Sequence, residues 1–289
     1  MSNMPSELIT SAQNPKVKRL LALQKDSSLR RESGLFVVEG RRELERCISA
    51  GFEPDSVFIC PAVLSRVPEN VPLSAKRAQN ALKGTCECTF GRSEALQGAK
   101  VFEVSEEVYG KIAYRGGTEG VIAEVKVRNR KLEDLQLPDN PLIVVLESVE
   151  KPGNLGAVLR SADAAAADAV LVCDPLTDLY NPNLIRSSTG AAFSVPCVAC
   201  SSEQAIKWLK LKEIRILTAQ LQDSRLYYDT DMRGATAIVM GTESTGLSQQ
   251  WRDAADAHIR IPMLGAADSL NVSVSAAILL FEAVRQRRQ

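Results

Sequence analysis

From residue 142 onward, short apolar runs alternate with helix-like stretches, and this alternation constrains the fold more than any other feature of the chain. The runs fall at 142–146, 169–173, 215–219 and 236–240, with a last short one at 258–261. Continuous apolar runs bounded by small and polar residues mark strands buried on both faces. Their alternation with helices predicts an α/β domain with a mostly parallel sheet. Each predicted strand ends in a loop of small or polar residues, and an open sheet of this kind binds ligands beyond the carboxyl ends of its strands.

The final unit, 259–277, shows the local signals in order. Pro262 ends the strand, because proline cannot donate to a sheet ladder. A loop with Gly265 follows, and Ser269 or Asn271 can cap a last helix running to about Arg287. Leu270, Val274, Ala277, Ile278 and Phe281 recur at helical spacing and predict its buried stripe. The loop is small and apolar for a surface turn. That suits a ligand held by main-chain groups beside an apolar wall, and an ordinary buried corner fits as well.

The first half reads as a smaller α/β domain. Asn14 and Pro15 open a helix; strands are predicted at 35–38, 57–60, 101–104 and 120–127, and helices at 41–50 and after Ser105. Between Asn14 and Arg46 stand nine Lys or Arg against five acids. The whole chain of 289 residues has 35 basic and 35 acidic side chains, so nucleic-acid contact must come from a local basic face. Lys16, Arg41 and Arg42 are the candidates, the last two at a helix start that favours anions; a solvated helix surface is the competing reading. Polarity and the prolines of 128–141 place the boundary, giving a first domain 1–130, a linker 131–140 and a second domain 141–289.

No apolar run approaches the ~20 residues of a membrane span. The first residues lack the basic and apolar regions of a signal peptide, so a cytoplasmic protein without a membrane partner is expected. Seven scattered cysteines are expected reduced. Cys86-x-Cys88 and Cys197-x-x-Cys200 fall short of a four-ligand zinc pattern, and no metal is expected. A nucleophile–histidine system would have to use His258, the single histidine.

Three loops carry the chemistry. The first, 147–160, contains Pro152-Gly153, then Asn154 as a helix cap, Gly156 in the first turn for a close backbone approach, and Arg160. Arg160 can equally pair with nearby Asp163. The second, Gly241-Thr242-Glu243-Ser244-Thr245-Gly246, suits a backbone cradle and matches neither a P-loop nor a dinucleotide fingerprint. The third is Ile261-Pro262-Met263 with Ser269-Leu270-Asn271-Val272-Ser273.

Together, in this order and spacing, the three blocks resemble the SpoU (TrmH-like) RNA ribose 2′-O-methyltransferases of the SPOUT class, over about residues 141–287. The basic first half looks like the small ribosomal-protein-like RNA-binding domain often joined to them. The resemblance implies a trefoil-knotted domain, a homodimer, and S-adenosylmethionine bound in a bent conformation. It places Gly241, Ile261 and Leu270 on the cofactor, with Thr218, Ala219, Gly246, Met263 and Asn271 at the cofactor site. It makes Arg160 catalytic, with Asn154 and Glu243 orienting it or the substrate. The family's usual proposal has arginine as the base; arginine is hard to deprotonate, so gripping a neighbouring phosphate in bidentate fashion is the preferred role here. Ribosomal RNA is the expected substrate. Transfer RNA, methylation of a base, and a non-catalytic RNA-binding protein of the same fold are the alternatives.

Overall fold

The structure is a computed structural model that describes residues 7–66, 98–114, 119–242 and 245–288. The chain divides into two compact units, Met1–Arg128 and Asn129–Gln289.

In the first unit the elements are β1 (Glu7–Ile9), α1 (Pro15–Lys25), α2 (Ser27–Ser33), β2 (Leu35–Glu39), α3 (Arg41–Ser49), β3 (Pro54–Ile59), α4 (Pro61–Leu64), β4 (Lys100–Val104), α5 (Glu106–Ile112) and β5 (Val121–Lys126). The sheet order is β1-β4-β3-β5-β2. The pairs among β1, β4 and β3 are parallel, and β5 runs antiparallel to β3 and β2. Asn14 caps α1, its Oδ1 accepting from Lys16 N at 2.9 Å, and Ser105 caps α5. Val17, Leu20 and Leu23 then lie on one face of α1 and close a core with Val37, Phe58, Phe102 and Ile122. Helix α2 was not foreseen. It is seven residues long, too short for an apolar stripe, and its signal is the Asp26 cap, which accepts from Ser28 N and Leu29 N.

The second unit contains β6 (Leu142–Glu147), α6 (Pro152–Ala164), β7 (Ala169–Cys173), α7 (Pro182–Ser187), α8 (Ala191–Ser194), β8 (Cys197–Cys200), α9 (Ser202–Leu211), β9 (Arg215–Ala219), β10 (Arg225–Leu226), β11 (Thr236–Met240), α10 (Gln249–Ala254), β12 (Ala257–Arg260) and α11 (Val272–Arg287). Its seven strands lie in the order β10-β12-β9-β11-β6-β7-β8, and every pair is parallel. The apolar runs are continuous because both faces are covered. Val144, Leu146, Val170, Val172 and Ile238 meet α6 and α11 on one side. Their neighbours Ile143, Val145, Leu171, Ala237 and Val239 meet Trp208 of α9 and Trp251 of α10 on the other.

Two expectations change here. The 131–140 stretch is not a bare linker: Leu132 is buried in a short turn, and Leu135 and Leu137 pack against the second core. Three leucines in ten residues are enough to hold such a segment down. The stripe expected on α11 also moves. Val272, Ala276, Leu279, Leu280 and Ala283 are buried, whereas Val274 and Phe281 are 47% and 49% exposed. The helix is apolar on more than one side, so helical spacing alone could not choose the face that docks on the sheet.

The last turn of α11 is fastened by Arg287. Its Nε donates to the Met232 carbonyl at 2.9 Å, and its other nitrogens to the carbonyls of Asn140, Pro141 and Gly234 at 2.6–3.1 Å. Burial lowers its pKa below the ordinary arginine value. Among the described residues, no helix is long and apolar enough to cross a membrane.

Candidate functional site

Neighbouring strands β6 and β11 mark the point where the chain reverses its direction of travel across the sheet: from β6 it moves outward through β7 and β8, then returns to β9 on the far side. At such a switch point the loops leave in opposite directions and open a cleft. That cleft is lined by Ser148, Val149, Lys151, Asn154, Gly241, Thr242 and Val272, drawn from all three sequence blocks. A second cleft follows β9 and β12 and is lined by Ala219, Gln220, Ile261, Met263, Asp268 and Leu270, among others.

Helix α6 starts earlier than expected. Pro152 occupies the first position and Lys151 the cap position, with no side-chain capping bond. Proline presets the helical φ and has no N–H to satisfy, so the helix begins on it. Asn154, expected as the cap, therefore sits in the first turn. There its Oδ1 accepts from Asn271 Nδ2 at 3.2 Å. Asn271 is itself the cap of α11, with Oδ1 accepting from Ser273 N at 3.0 Å and Ser273 Oγ at 2.6 Å. One hydrogen bond thus joins the first block to the third.

Gly156 does admit a close approach, but by the protein itself. A Cβ there would lie 2.6 Å from the Leu184 carbonyl and on the Ser187 side chain, so the glycine lets α6 pack against α7. Arg160 is one turn further along that face. It does not take Asp163, whose Oδ1 accepts from Ser194 Oγ at 2.7 Å. Arg160 is exposed and, among the described residues, forms no ion pair.

The second block closes on itself. Thr242 and Gly246 exchange main-chain hydrogen bonds of 3.2 and 3.1 Å, and a Cβ on Gly241 would meet the Gly246 carbonyl and lie 2.6 Å from Leu247 N. Gly241 thus leaves room for the loop's own return. Glu243 lies outside the described residues. Thr218 is fully buried within the sheet, with its Oγ1 2.6 Å from His258 Nδ1, and does not itself line the second cleft.

Sequence reasoning missed the group that anchors this loop. Glu147, the last residue of β6, is 6% exposed. Its Oε2 accepts from Ser248 N at 2.8 Å and its Oε1 is 3.5 Å from Ser202 Oγ. Ser202 Oγ also donates to Asp174 Oδ2 at 2.6 Å and accepts from Trp251 Nε1 at 2.9 Å. The signal was an acidic residue closing an otherwise apolar strand.

The three cations expected on RNA are all engaged within the first unit. Lys16 pairs with Glu7 and stands 4.4 Å over the Phe102 ring. Arg41 Nε pairs with Glu45 at 2.9 Å, and Arg42 with Glu43 at 3.4 Å. The anion favoured at the start of α3 is supplied internally, since Glu119 Oε2 accepts from Arg41 N at 2.6 Å and Arg42 N at 3.2 Å.

The SpoU rRNA Methylase family matches residues 141–281, and the MRM3-like substrate binding domain matches residues 14–123. The 23S rRNA (guanosine-2'-O-)-methyltransferase RlmB of Escherichia coli (strain K12) is 39% identical over 176 residues, covering 58% of this chain and 72% of that protein. The 23S rRNA (uridine(2479)-2'-O)-methyltransferase of Streptomyces viridochromogenes is 34% identical over 174 residues, and the match spans 58% of this chain and 60% of its length. Among solved structures, the AdoMet-bound rRNA methyltransferase from Sinorhizobium meliloti superposes with a TM-score of 0.81 at 28% identity, covering 97% of this chain and 98% of that one. The three blocks meeting at the carboxyl ends of a parallel sheet, a superposition over nearly the whole chain and the identity to RlmB agree: the chain belongs to the SpoU rRNA methylase family.

Proposed function

We propose that this chain transfers the methyl group of S-adenosylmethionine to a ribose 2′-hydroxyl of ribosomal RNA, in the cytoplasm and as a homodimer. The observation that carries this reading is the Asn271–Asn154 hydrogen bond. It draws the third block onto the helix that bears Arg160, which forms no ion pair among the described residues.

The second cleft fits the cofactor. Ala219, Ile261, Met263 and Leu270 offer an apolar wall for an adenine ring, and the Asp268 carboxylate at the rim suits a cationic ligand. Gln220, also in the lining, has a buried Oε1 with no hydrogen-bond partner among the described residues, a ready acceptor for a ligand donor. When bound, S-adenosylmethionine supplies an electrophilic sulfonium methyl group. The residues of the chain position the acceptor, and positioning is a large part of what such a displacement needs. Arg160 grips the phosphate next to the target ribose through its planar fork. Asn154 and Asn271 hold the start of α6 against the start of α11. Glu147 holds Ser248 and with it the end of the Gly241–Gly246 loop. Glu243 is assigned an orienting role by resemblance.

The dimer reading is supported by the uncovered side of α11. Val274 and Phe281 recur two turns apart on it, and Leu264 in the preceding loop is 96% exposed. A two-fold pair would bury such a face against its own copy.

The test is single-turnover methylation of ribosomal RNA with isotopically labelled cofactor, followed by digestion to nucleosides. A labelled 2′-O-methyl nucleoside is expected. A labelled base, or failure of the folded protein to bind the cofactor, would overturn the reading.

A further inference from the structure

The mechanism uses no thiol, yet two thiols face each other near its supporting network. Cys173 and Cys200 are register partners on β7 and β8, with Sγ atoms 3.9 Å apart. Adjacent strands lie about 4.8 Å apart, within the roughly 4.4–6.8 Å Cα separation that a disulfide spans. Joining the sulfurs requires them to close to about 2 Å. Strand β8 can make that adjustment, because among the described residues it ends the sheet and is paired on one side only. The two partners differ in access: Cys173 is buried and Cys200 is half-buried.

We propose that Cys173 and Cys200 form a reversible disulfide site in the folded protein, closing by exchange with a low-molecular-weight disulfide. The thiolate of Cys200 attacks one sulfur of the small disulfide and expels the other half as a thiolate. Cys173 then gives its proton to solvent and attacks Cys200 Sγ, releasing the second half as a thiol. Two protein thiols and one small disulfide become one protein disulfide and two small thiols.

Local electrostatics assigns the order of attack. Contact with the Cys173 thiol holds the Cys200 pKa below its ordinary value, while Cys173 is pushed up by that same contact and by burial. Attack needs a thiolate, so Cys200 reacts first and Cys173 resolves. Cys197, on the same strand but packed into the opposite core, is pushed up to about 12 by burial and stays out of the exchange. The bridge would form beside Asp174, which holds Ser202 and, through it, the neighbourhood of Glu147.

The experiment uses the full chain with Cys86→Ser and Cys88→Ser, to keep those two cysteines out of the count. Folded protein is incubated with oxidised glutathione, quenched by alkylation and mapped by peptide mass, with circular dichroism recorded throughout. The expected result is loss of two titratable thiols, a Cys173–Cys200 cross-linked peptide and full reversal by dithiothreitol. In a further Cys173→Ser variant the reaction should stop at a glutathione adduct on Cys200. Both thiols remaining free, a lasting glutathione adduct on Cys200 while Cys173 is present, or a cross-link that forms only in denaturant would each overturn the proposal.

Discussion

The start of α3 and the first two turns of α6 both looked from sequence like places where an arginine meets a phosphate, and the structure treats them in opposite ways. At α3, Glu119 sits on the first two main-chain N–H groups, and Arg41 and Arg42 are paired with Glu45 and Glu43. At α6 the cap residue Lys151 makes no side-chain capping bond, Asp163 is occupied by Ser194, and Arg160 is exposed without an ion pair among the described residues. A basic residue near a helix start is a ligand site only where the fold has not already supplied the anion. Exposed ion pairs are worth only about 0.2–1 kcal/mol, so the contrast is one of degree, and mutation can measure it.

The largest effect is expected at the open site. Arg160→Ala should lower single-turnover methylation by about a hundredfold or more, while fold and cofactor affinity are retained. Arg160→Lys should recover part of the activity, with a shallow pH profile. Full activity in Arg160→Ala would remove the contrast, and a steep rise with pH in the lysine variant would make the side chain a base instead of a phosphate grip.

Arg287 sharpens the comparison from the structural side, as an arginine committed wholly to carbonyls. Arg287→Ala leaves those of Met232, Asn140, Pro141 and Gly234 without this donor and should cost about 2–3 kcal/mol of stability, read as a lower denaturant midpoint. An unchanged midpoint would show that water replaces it.

At α3 the expected effect is smaller. Arg41→Glu with Arg42→Glu should weaken RNA binding and reduce the slope of log affinity against log salt by roughly one per lost phosphate contact, with cofactor affinity unchanged. A slope equal to the parent's would mean that these arginines serve only their own carboxylates. The smallest effect belongs to Glu119→Gln, which removes a charge from a helix N-terminus and should cost about 0.3–1 kcal/mol. Tighter RNA binding by this variant would be a direct sign that Glu119 and phosphate compete for the same N–H groups.

Much of the fold was legible because it depends on local signals. The five apolar runs of the second unit, the Asn14, Ser105 and Asn271 caps, and the stop at Pro262 act over a few residues, and the structure has them. The edge strands β8 and β10 were not legible: β10 has two residues, too few for a pattern, and in β8 Val198 alone is buried.

The sequence by itself determined the parallel α/β core and the three blocks whose loops meet at one end of it, because two-sided burial and turn chemistry are written residue by residue. Only the tertiary structure decided the rest. It decided that Gly156 admits α7, which face of the doubly apolar α11 docks, that Glu147 anchors the Ser248 end of its loop, that Glu119 fills the start of α3, and that Cys173 meets Cys200. Each of these is a contact between residues far apart in the chain, and spacing along one segment holds no information about what packs against it from another.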